Sequence, residues 1–367
     1  MRPYEPENLP LENLDLRYLI TSVGEANAEL ARYDGLLQGI VNPSIMLSPL
    51  TVQEAVLSSR LEGTQATVDD VFEHEAGIEK TETEARDVQE IINYRAALRL
   101  AQEYLLTYPI SLGFICAIHK RLLDSVRGKD KNPGYFRRDQ NWIGVSGSTI
   151  EEAVFIPPSP LRLTDHLEAW IRYIDSEDMD PLVQAAVMHA QFELLHPFKD
   201  GNGRIGRLLI PLFLFQKHRL SYPMFYLSAY LEKYRDEYYA RLKEISKSGD
   251  WNGWIHFFLT AVIGQAKLNI ERVNQIRKLY DIMKQKIQET THSQHTIQVL
   301  DQLFKRPTFK TSDFIKETGI QKATAMTILR QLKESDVLKE MRPGSGRRPA
   351  VLIFPDLLNV AEGKVVL

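Results

Sequence analysis

The 367-residue sequence lacks several features that mark large classes of protein. Cys116 is its single cysteine, so an internal disulfide is excluded, and the first residues contain no apolar stretch typical of a secretory leader. The longest apolar run, residues 208–215, contains Pro211 and is far shorter than the roughly 20 residues that span a bilayer. These absences predict a cytoplasmic protein with no membrane partner.

No excess of one charge is present either, since 45 basic and 48 acidic residues give a net charge of −3. This balance argues against a protein that coats nucleic acid or a membrane surface. A phosphate-binding G-x-x-x-x-G-K-[S/T] loop is also absent. The hydrophobic content of 44% is ordinary for a globular chain, and the length predicts two or three domains.

The most informative stretch is residues 196–207, which read H-P-F-K-D-G-N-G-R-I-G-R. Gly201 and Gly203 free the backbone to turn tightly and to direct successive N–H groups at one anion, as phosphates require at the start of a helix. Arg204 and Arg207 are three residues apart, so a helix beginning there places both guanidinium groups on one face. The run predicts a nucleotide triphosphate site.

Two further residues of the run supply chemistry. Asp200 offers the hard oxygen ligand that Mg²⁺ prefers, and His196 can accept a proton near neutral pH. The glycines also fit the dinucleotide pattern G-x-G-x-x-G, which requires a preceding strand, whereas the alanine-rich residues 181–195 predict a helix. A purely structural helix–turn–helix would not need this set of charged residues around one turn.

The run resembles the signature of the Fic family, H-x-F-x-[D/E]-G-N-G-R-x-x-R. This resemblance implies an enzyme that transfers AMP from ATP to a protein hydroxyl and releases pyrophosphate. It implies that His196 is the catalytic base, that Asp200 holds Mg²⁺ as the cofactor, and that Phe198 is a buried anchor. The resemblance and the run together give the expected ATP-binding set Gly201, Asn202, Gly203, Arg204, Ile205, Gly206 and Arg207.

A second motif lies far upstream, in a helix predicted over about residues 52–62, with a capping box at Thr51 and a C-terminal cap at Gly63. Ser58 and Glu62 share one face of this helix, and the string resembles the inhibitory motif [S/T]-x-x-x-E-[G/N] of one Fic class. The resemblance implies that Glu62 pairs with Arg207. An arginine held by a carboxylate cannot also clamp the γ-phosphate, so we expect an autoinhibited enzyme.

The fold is predicted to be mainly α, a Fic helical core with a short β-hairpin flap. Residues 141–158 contain two β-leaning runs around a Gly/Ser turn, and Val154 and Phe155 near its end are expected to line the nucleotide. Tyr238 is the candidate adenine contact. Helices are predicted at residues 19–33, 51–61, 86–104, 112–126, 161–174, 181–195, 205–218, 232–246 and 251–288.

After a polar linker at residues 290–296, the C-terminal part has the pattern of a winged helix-turn-helix domain, with helices at 312–318 and 322–335 and strands at 337–341 and 350–354. This module can dock DNA or protein. Its candidate phosphate contacts are Lys322, Arg330, Lys333, Arg347 and Arg348. The predicted domains are an N-terminal helical region (1–108), a catalytic core (109–288) and a winged helix (295–360).

Three functions remain open at this point. The first is an autoinhibited protein adenylyltransferase (AMPylator) that modifies Ser, Thr or Tyr of an unknown target protein, and possible substrates include the chain itself by auto-AMPylation. The second is a hydrolase that removes AMP, with Glu62 positioning a water. The third is a nucleotide-sensing DNA-binding regulator. Transfer of UMP or phosphocholine is a further variant, and the helical surfaces and the flap are compatible with a homodimer.

Overall fold

The computed structural model describes residues 2–126, 128–144, 149–346 and 348–363. These residues are mainly α-helical, which confirms the predicted fold class, and three short strands form one small sheet. In chain order the helices are α1 (Leu16–Gln38), α2 (Pro43–Met46), α3 (Ser48–Leu61), α4 (Val68–Glu75), α5 (Glu82–Leu105), α6 (Leu112–Leu122), α7 (Leu163–Asp175), α8 (Pro181–Leu195), α9 (Asn202–Gln216), α10 (Ser228–Lys233), α11 (Arg235–Ser248), α12 (Trp251–Thr291), α13 (Thr296–Lys305), α14 (Thr311–Thr318), α15 (Lys322–Glu334) and α16 (Pro355–Glu362). The strands are β1 (Thr308–Lys310), β2 (Lys339–Arg342) and β3 (Val351–Ile353).

Within the described ranges, no helix has the length and apolar character needed to cross a membrane. Contacts divide the chain into two compact units, and the first consists of Met1–Gly35, Leu57–Thr64 and Ile92–Lys267. Its central element is α8, whose residues are almost all buried, with α7, α9 and α11 packed beside it. A helix that is apolar on every side is stable only in such a core.

The ends of α8 follow from its sequence. Asp180 caps the first turn by accepting a hydrogen bond from the backbone N–H of Leu182 at 2.8 Å, and Pro181 occupies the first helical position, where its missing N–H costs nothing. At the other end His196 adopts a left-handed conformation with φ 45°, which stops the helix. The chain then turns back, and Gly201 with φ 78° starts α9.

Several predicted boundaries are wrong by a few residues. Helix α3 begins at Ser48 and not at Thr51, because Pro49 favours the first turn of a helix. Helix α9 begins at Asn202, three residues before the predicted start. The helix predicted over 232–246 is divided at Tyr234 into α10 and α11.

The second unit consists of Leu36–Val56, Gln65–Ile91 and Leu268–Leu367. Its sheet is antiparallel with the order β1-β3-β2, and α14 packs against β1, α13 and α15. The succession of α13, β1, α14, α15, β2 and β3 is compatible with a winged helix-turn-helix, and that assignment stays a prediction. The polar linker is shorter than predicted, since only residues 292–295 separate α12 from α13.

Each unit consists of segments that are discontinuous in sequence, whereas the predicted domains are continuous ranges divided near residues 108 and 295. That domain division stays a prediction. Residues 36–56 and 65–91 group with the C-terminal residues because α2 packs against α13 and α4 packs against β1. Candidate phosphate contacts of this unit pair with acids: Arg330 lies 3.2 Å from Glu334, and Lys333 lies 2.6 Å from Glu340. Arg347 lies outside the described residues.

Candidate active site

The histidine of the signature run lies at the end of α8, and its environment keeps the imidazole neutral. His196 Nδ1 lies 3.3 Å from the carbonyl oxygen of Glu193, which can only accept, so Nδ1 carries the proton and Nε2 keeps its lone pair. Burial lowers the pKa of His196 to about 4. The imidazole is therefore neutral at physiological pH and can take a proton at Nε2.

The loop between α8 and α9 is fixed by side-chain contacts with its own backbone. Asn202 Oδ1 accepts a hydrogen bond from the Phe198 N–H at 2.8 Å, and Asn202 Nδ2 donates to the Phe198 carbonyl at 2.9 Å. The Phe198 ring is fully buried and stacks on His119 with the ring centroids 3.7 Å apart. The Asn202 side chain therefore braces the loop. The anion-binding role predicted for Asn202 would fall to its backbone N–H.

Two residues outside the run complete this brace, and sequence analysis missed both. His119 Nδ1 accepts from the Gly134 N–H at 2.9 Å, so its Nε2 carries the proton and donates to the Asp200 carbonyl at 2.9 Å. Arg137 Nε donates to the His196 carbonyl at 2.9 Å. His119 and Arg137 lie 81 and 59 residues from their partners, and no local pattern marks them.

The glycines of the run have different reasons to be glycine. Gly201 has φ 78°, a conformation that other residues rarely adopt. Gly203 has helical geometry, but a Cβ built there would lie 2.2 Å from Glu62 Oε1 and 2.8 Å from Arg207 Nη1. A side chain at this position would displace both groups. The N-terminus of α9 has backbone N–H groups of the kind that bind phosphate, and the Glu62 carboxylate lies close to them.

The structure brings the upstream motif to this turn. Arg207 is buried, and its Nε donates to Ser58 Oγ at 2.9 Å while its Nη2 donates to the Ser58 carbonyl at 2.8 Å. The same Nη2 lies 2.7 Å from Glu62 Oε1, and the Glu62 side chain is 31% exposed. Burial alone would raise the pKa of Glu62, but the charge and hydrogen bond of Arg207 outweigh it and lower that pKa.

Asp200 is the candidate metal ligand, and it stands just before the N-terminus of α9. Its Oδ1 accepts from the Gly201 N–H at 2.6 Å and lies 3.5 Å from Arg204 Nη2. Gly128 approaches Oδ2 so closely that a Cβ there would lie 2.6 Å away. In the part of the chain that the structure describes, no cluster of three or more metal-binding side chains occurs. A single carboxylate fits Mg²⁺ bound mainly by phosphates and water.

Several of these residues line a cavity of about 670 Å³. Glu62, Glu193, His196, Gly203 and Arg207 line its polar side. Of the ATP-binding set predicted in the run, only Gly203 and Arg207 line this cavity. Arg204 is fully buried, Ile205 is part of the core, and Gly206 packs against the Glu193 carboxyl. Gly201 and Asn202 do not line it either.

The predicted flap forms the opposite side of the cavity. Val154, Phe155 and Ile143 line it, and the Val154 and Phe155 N–H groups both lie near the Ile143 carbonyl, at 2.8 and 3.1 Å. Among the described residues this is a single antiparallel bridge and not a ladder of strands. Residues 145–148, the predicted Gly/Ser turn, lie outside the described residues.

The apolar end of the cavity is formed by α11. Tyr238 is buried, and its hydroxyl lies 3.0 Å from His189 Nε2. Tyr239, Leu242 and Ser246 join it in lining the cavity. Of these, only Tyr238 is predicted from the sequence, although Tyr238, Leu242 and Ser246 recur at every fourth residue and therefore share a helix face.

Glu193 is a further cavity residue that sequence analysis missed. Burial raises the pKa of its carboxyl to about 8, and the nearby Arg207 charge offsets only part of this effect. His189, Glu193 and His196 are spaced by four and three residues, so they follow one face of α8. That spacing was the available signal.

Taken together, a neutral histidine beside the glycine-rich N-terminus of a helix forms an arrangement of the kind that can bind phosphate groups. Comparison with known domains gives the family. The domain described as "Fic/DOC family N-terminal" matches residues 20–103, and the domain described as "Fic/DOC family" matches residues 109–214. These matches together cover just over half of the chain, and the chain belongs to the Fic/DOC family.

Curated relatives align with part of the chain. Protein adenylyltransferase fic-1 of Caenorhabditis briggsae is 30% identical over 178 residues, which are 47% of this chain and 32% of the relative. Protein adenylyltransferase Fic of Aedes aegypti is 30% identical over 176 residues, 46% of this chain and 31% of the relative. The alignments thus span about a third of the length of these relatives.

Solved structures share the fold. A Fic family protein from Desulfovibrio desulfuricans G20 superimposes with a TM-score of 0.59 at 18% identity and covers 96% of this chain and 98% of its own. Fic-1 from C. elegans superimposes with a TM-score of 0.53 at 24% identity, over 70% of this chain and 71% of its own. At these identities the similarity concerns the fold alone.

Proposed function

We propose that this chain is a protein adenylyltransferase that transfers AMP from ATP to a Ser, Thr or Tyr hydroxyl of a target protein. The names of the curated relatives support this activity, and so does the chemistry of the cavity. A neutral base, a helix N-terminus and a buried arginine surround a space large enough for a nucleotide.

In the proposed reaction, the target hydroxyl attacks the α-phosphorus of ATP while His196 Nε2 accepts its proton. The bond from the α-phosphorus to the bridging oxygen breaks, and the electron pair leaves with pyrophosphate. The N–H groups at the start of α9 stabilise the charge that develops on the phosphate oxygens. Mg²⁺ bound to Asp200 would neutralise charge on the phosphate chain.

We further propose that the resting enzyme is autoinhibited. One observation carries this proposal: Glu62 and Ser58 engage the guanidinium of Arg207 at 2.7 to 2.9 Å, beside the helix N-terminus that would receive the phosphates. A guanidinium with these partners cannot clamp the γ-phosphate. ATP then binds with its α-phosphate out of line for attack, and a misplacement of about 1 Å costs on the order of 100-fold in rate.

The test is transfer of label from α-labelled ATP with Mg²⁺ to protein. We compare three proteins: the unsubstituted chain, Glu62→Gly, and His196→Ala in the Glu62→Gly background. Auto-modification is the readout, because it needs no identified target. We expect Glu62→Gly to raise labelling and His196→Ala to abolish it. Labelling that is equal or lower in Glu62→Gly would contradict autoinhibition, and labelling that survives His196→Ala would contradict the assigned base.

Removal of AMP from a modified protein is the second candidate, because Glu62 and His196 line the same cavity. Glu62 would then orient a water for attack on the α-phosphorus. Incubation of an AMP-modified protein with the unmodified chain distinguishes the two reactions: release of AMP that requires Glu62 supports the hydrolase.

The remaining assignments stay predictions: the cytoplasmic location, a homodimer and docking of DNA or protein through the C-terminal helices. A nucleotide-sensing DNA-binding regulator requires salt-sensitive, sequence-selective duplex binding. The pairing of Arg330 and Lys333 with acids reduces the charge that is available for such binding.

A further inference from the structure

Two side chains of α11 contact the C-terminal end of α3. Arg235 Nη2 donates to the carbonyl oxygen of Leu61 at 2.9 Å, and the Tyr239 hydroxyl donates to the same oxygen at 3.3 Å. Leu61 is the last residue of α3, and the final carbonyls of a helix have no partner inside the helix. The two bonds therefore satisfy an acceptor that lies one residue before Glu62.

The charge and stacking at this point are also favourable. A helix C-terminus carries a partial negative charge, which the Arg235 guanidinium offsets. The same guanidinium lies over the Tyr239 ring, 5.9 Å from its centroid, as the spacing of four residues on α11 allows. Arg235 is exposed and is not part of the cavity lining, whereas Tyr239 is.

A hydrogen-bonded turn links the Leu61 carbonyl closely to the Glu62 carboxylate. The Glu62 N–H bonds to the Ser59 carbonyl at 3.0 Å, the Gly63 N–H to the Arg60 carbonyl at 2.9 Å, and the Thr64 N–H to the Ser59 carbonyl at 3.2 Å. This turn is continuous with α3. Movement of the Leu61 carbonyl away from α11 would therefore carry the Glu62 side chain away from Arg207.

We propose that Arg235 and Tyr239 are positioning residues that hold the end of α3, and with it Glu62, in the inhibitory position. This α3 latch, defined as the two hydrogen bonds to the Leu61 carbonyl, rests on the proposed autoinhibition. It acts only through Glu62, so its loss raises activity when Glu62 is present and has no effect when Glu62 is absent.

Labelling with α-labelled ATP tests the latch in two backgrounds. Arg235→Ala is compared with Lys247→Ala, which removes a cation from the same helix at a site whose partner is Glu244. We expect Arg235→Ala to raise labelling by about two- to tenfold, as the loss of one net hydrogen bond implies, and Lys247→Ala to leave it unchanged. In the Glu62→Gly background, Arg235→Ala should change neither the rate nor the KM for ATP.

Hydrogen exchange supplies a readout that does not depend on activity. In the 367-residue chain, Arg235→Ala and Tyr239→Phe should speed hydrogen exchange of the amides of residues 62–64, and Lys247→Ala is the control. Unchanged exchange there overturns the latch, whatever the labelling shows. A rise in labelling that is equally large without Glu62 also overturns it, whereas a failure of Glu62→Gly itself to raise labelling counts against autoinhibition.

Discussion

The two sides of the candidate site are held in place very differently. On the phosphate side, Asn202 bonds both backbone groups of Phe198, and His119 and Arg137 bond the carbonyls of Asp200 and His196. On the flap side, among the described residues, the Ile143 bridge is the only strand-type pairing. A loop braced in this way would be organised before the proposed substrate ATP binds, and preorganised groups are the most effective in electrostatic stabilisation of phosphate transfer.

This difference indicates that separate parts of the fold contact the two substrates of the proposed reaction, the nucleotide, which is always the same, and the target protein, which varies. Every turnover presents the same phosphates, so a rigid loop suits them. Target proteins differ in sequence, and a flap whose described residues form a single strand-type bridge can adapt to them. Changes of similar size on the two sides should therefore lower different quantities. On the phosphate side we expect a loss of rate and stability. On the flap side, because Val154 and Phe155 also line the cavity, we expect a loss of nucleotide affinity.

The largest expected effect is on catalysis, from His196→Ala in the Glu62→Gly background. Loss of a general base slows proton transfer by roughly 10²–10⁴-fold. Label transfer measures the rate, and calorimetric titration of ATP, expected to give an unchanged Kd, is the control. Because burial lowers the pKa of His196 to about 4, the base is already deprotonated between pH 6 and 8, and its titration should add no pH dependence there. A residual rate above a tenth would contradict the assignment.

Stability should respond most strongly to Asn202→Ala. This change leaves the buried N–H of Phe198 without its partner, removes the shorter of two hydrogen bonds to the Phe198 carbonyl, and costs about 2–4 kcal/mol. Thermal unfolding measures it as a lower midpoint. Asn141→Ala is the matched control, since Asn141 at the base of the flap donates to the same carbonyl at 3.3 Å, and we expect it to cost less than about 1 kcal/mol. Equal costs would show that the loop is not the more strongly braced side.

A smaller, pH-dependent effect is expected from Glu193→Gln. The folded chain raises the pKa of this carboxyl from 4.5 to about 8, so it binds more protons than the unfolded chain between these values. Stability therefore falls as pH rises through this window, and the neutral glutamine avoids the loss. The free energy of unfolding of Glu193→Gln should equal that of the unsubstituted chain at pH 4 and exceed it by about 1–3 kcal/mol at pH 8. This gain is smaller than the full pKa shift implies, because Glu193 lines the cavity.

Unfolding midpoints of both proteins across pH 4 to 8 provide the measurement. Glu168→Gln, which removes an exposed acid from α7, is the control and should show no such trend. A gain that is independent of pH would mean that the Glu193 carboxyl titrates normally, and hence that the cavity beneath the braced loop is wetter than its geometry indicates.

The sequence predicts part of this site, and the predictable part is the part built from local motifs. Residues 196–207 were recognisable because catalytic base, turn glycines and arginines must follow each other at fixed spacing on one loop and helix start. Ser58 and Glu62 were recognisable because a helix puts them on one face. Fold class and family, predicted from these motifs, are confirmed.

The braces were not predictable in this way. His119 and Arg137 act through long-range contacts to backbone carbonyls, and any residue can supply a carbonyl, so no pairing pattern exists in one sequence. Helix starts were predicted too late for a local reason: Pro49 in the first turn of α3 and Gly201 just before α9 allow these helices to begin earlier than the charged or apolar pattern indicates. Glu193 was within reach, since it lies on the His189 to His196 face of α8.

The smallest expected effect belongs to the flap, and it tests the other half of the comparison. Val154 lines the cavity and is 47% exposed, so its side chain is available to be covered by the nucleotide. Val154→Ala removes two methyl groups' worth of apolar contact, at about 0.8 kcal/mol for each buried carbon. In the Glu62→Gly background we expect the KM for ATP to rise by roughly two- to tenfold, with kcat unchanged.

The unfolding midpoint of Val154→Ala should change by less than about 1 °C, because a half-exposed side chain contributes little to the core. Leu161→Ala is the control, since Leu161 is 92% exposed and lies outside the cavity lining, and neither KM nor midpoint should move. A loss of stability in Val154→Ala with no change in KM would reverse the comparison. The flap would then be part of the structural core, and the bridge at Ile143 would serve folding and not nucleotide binding.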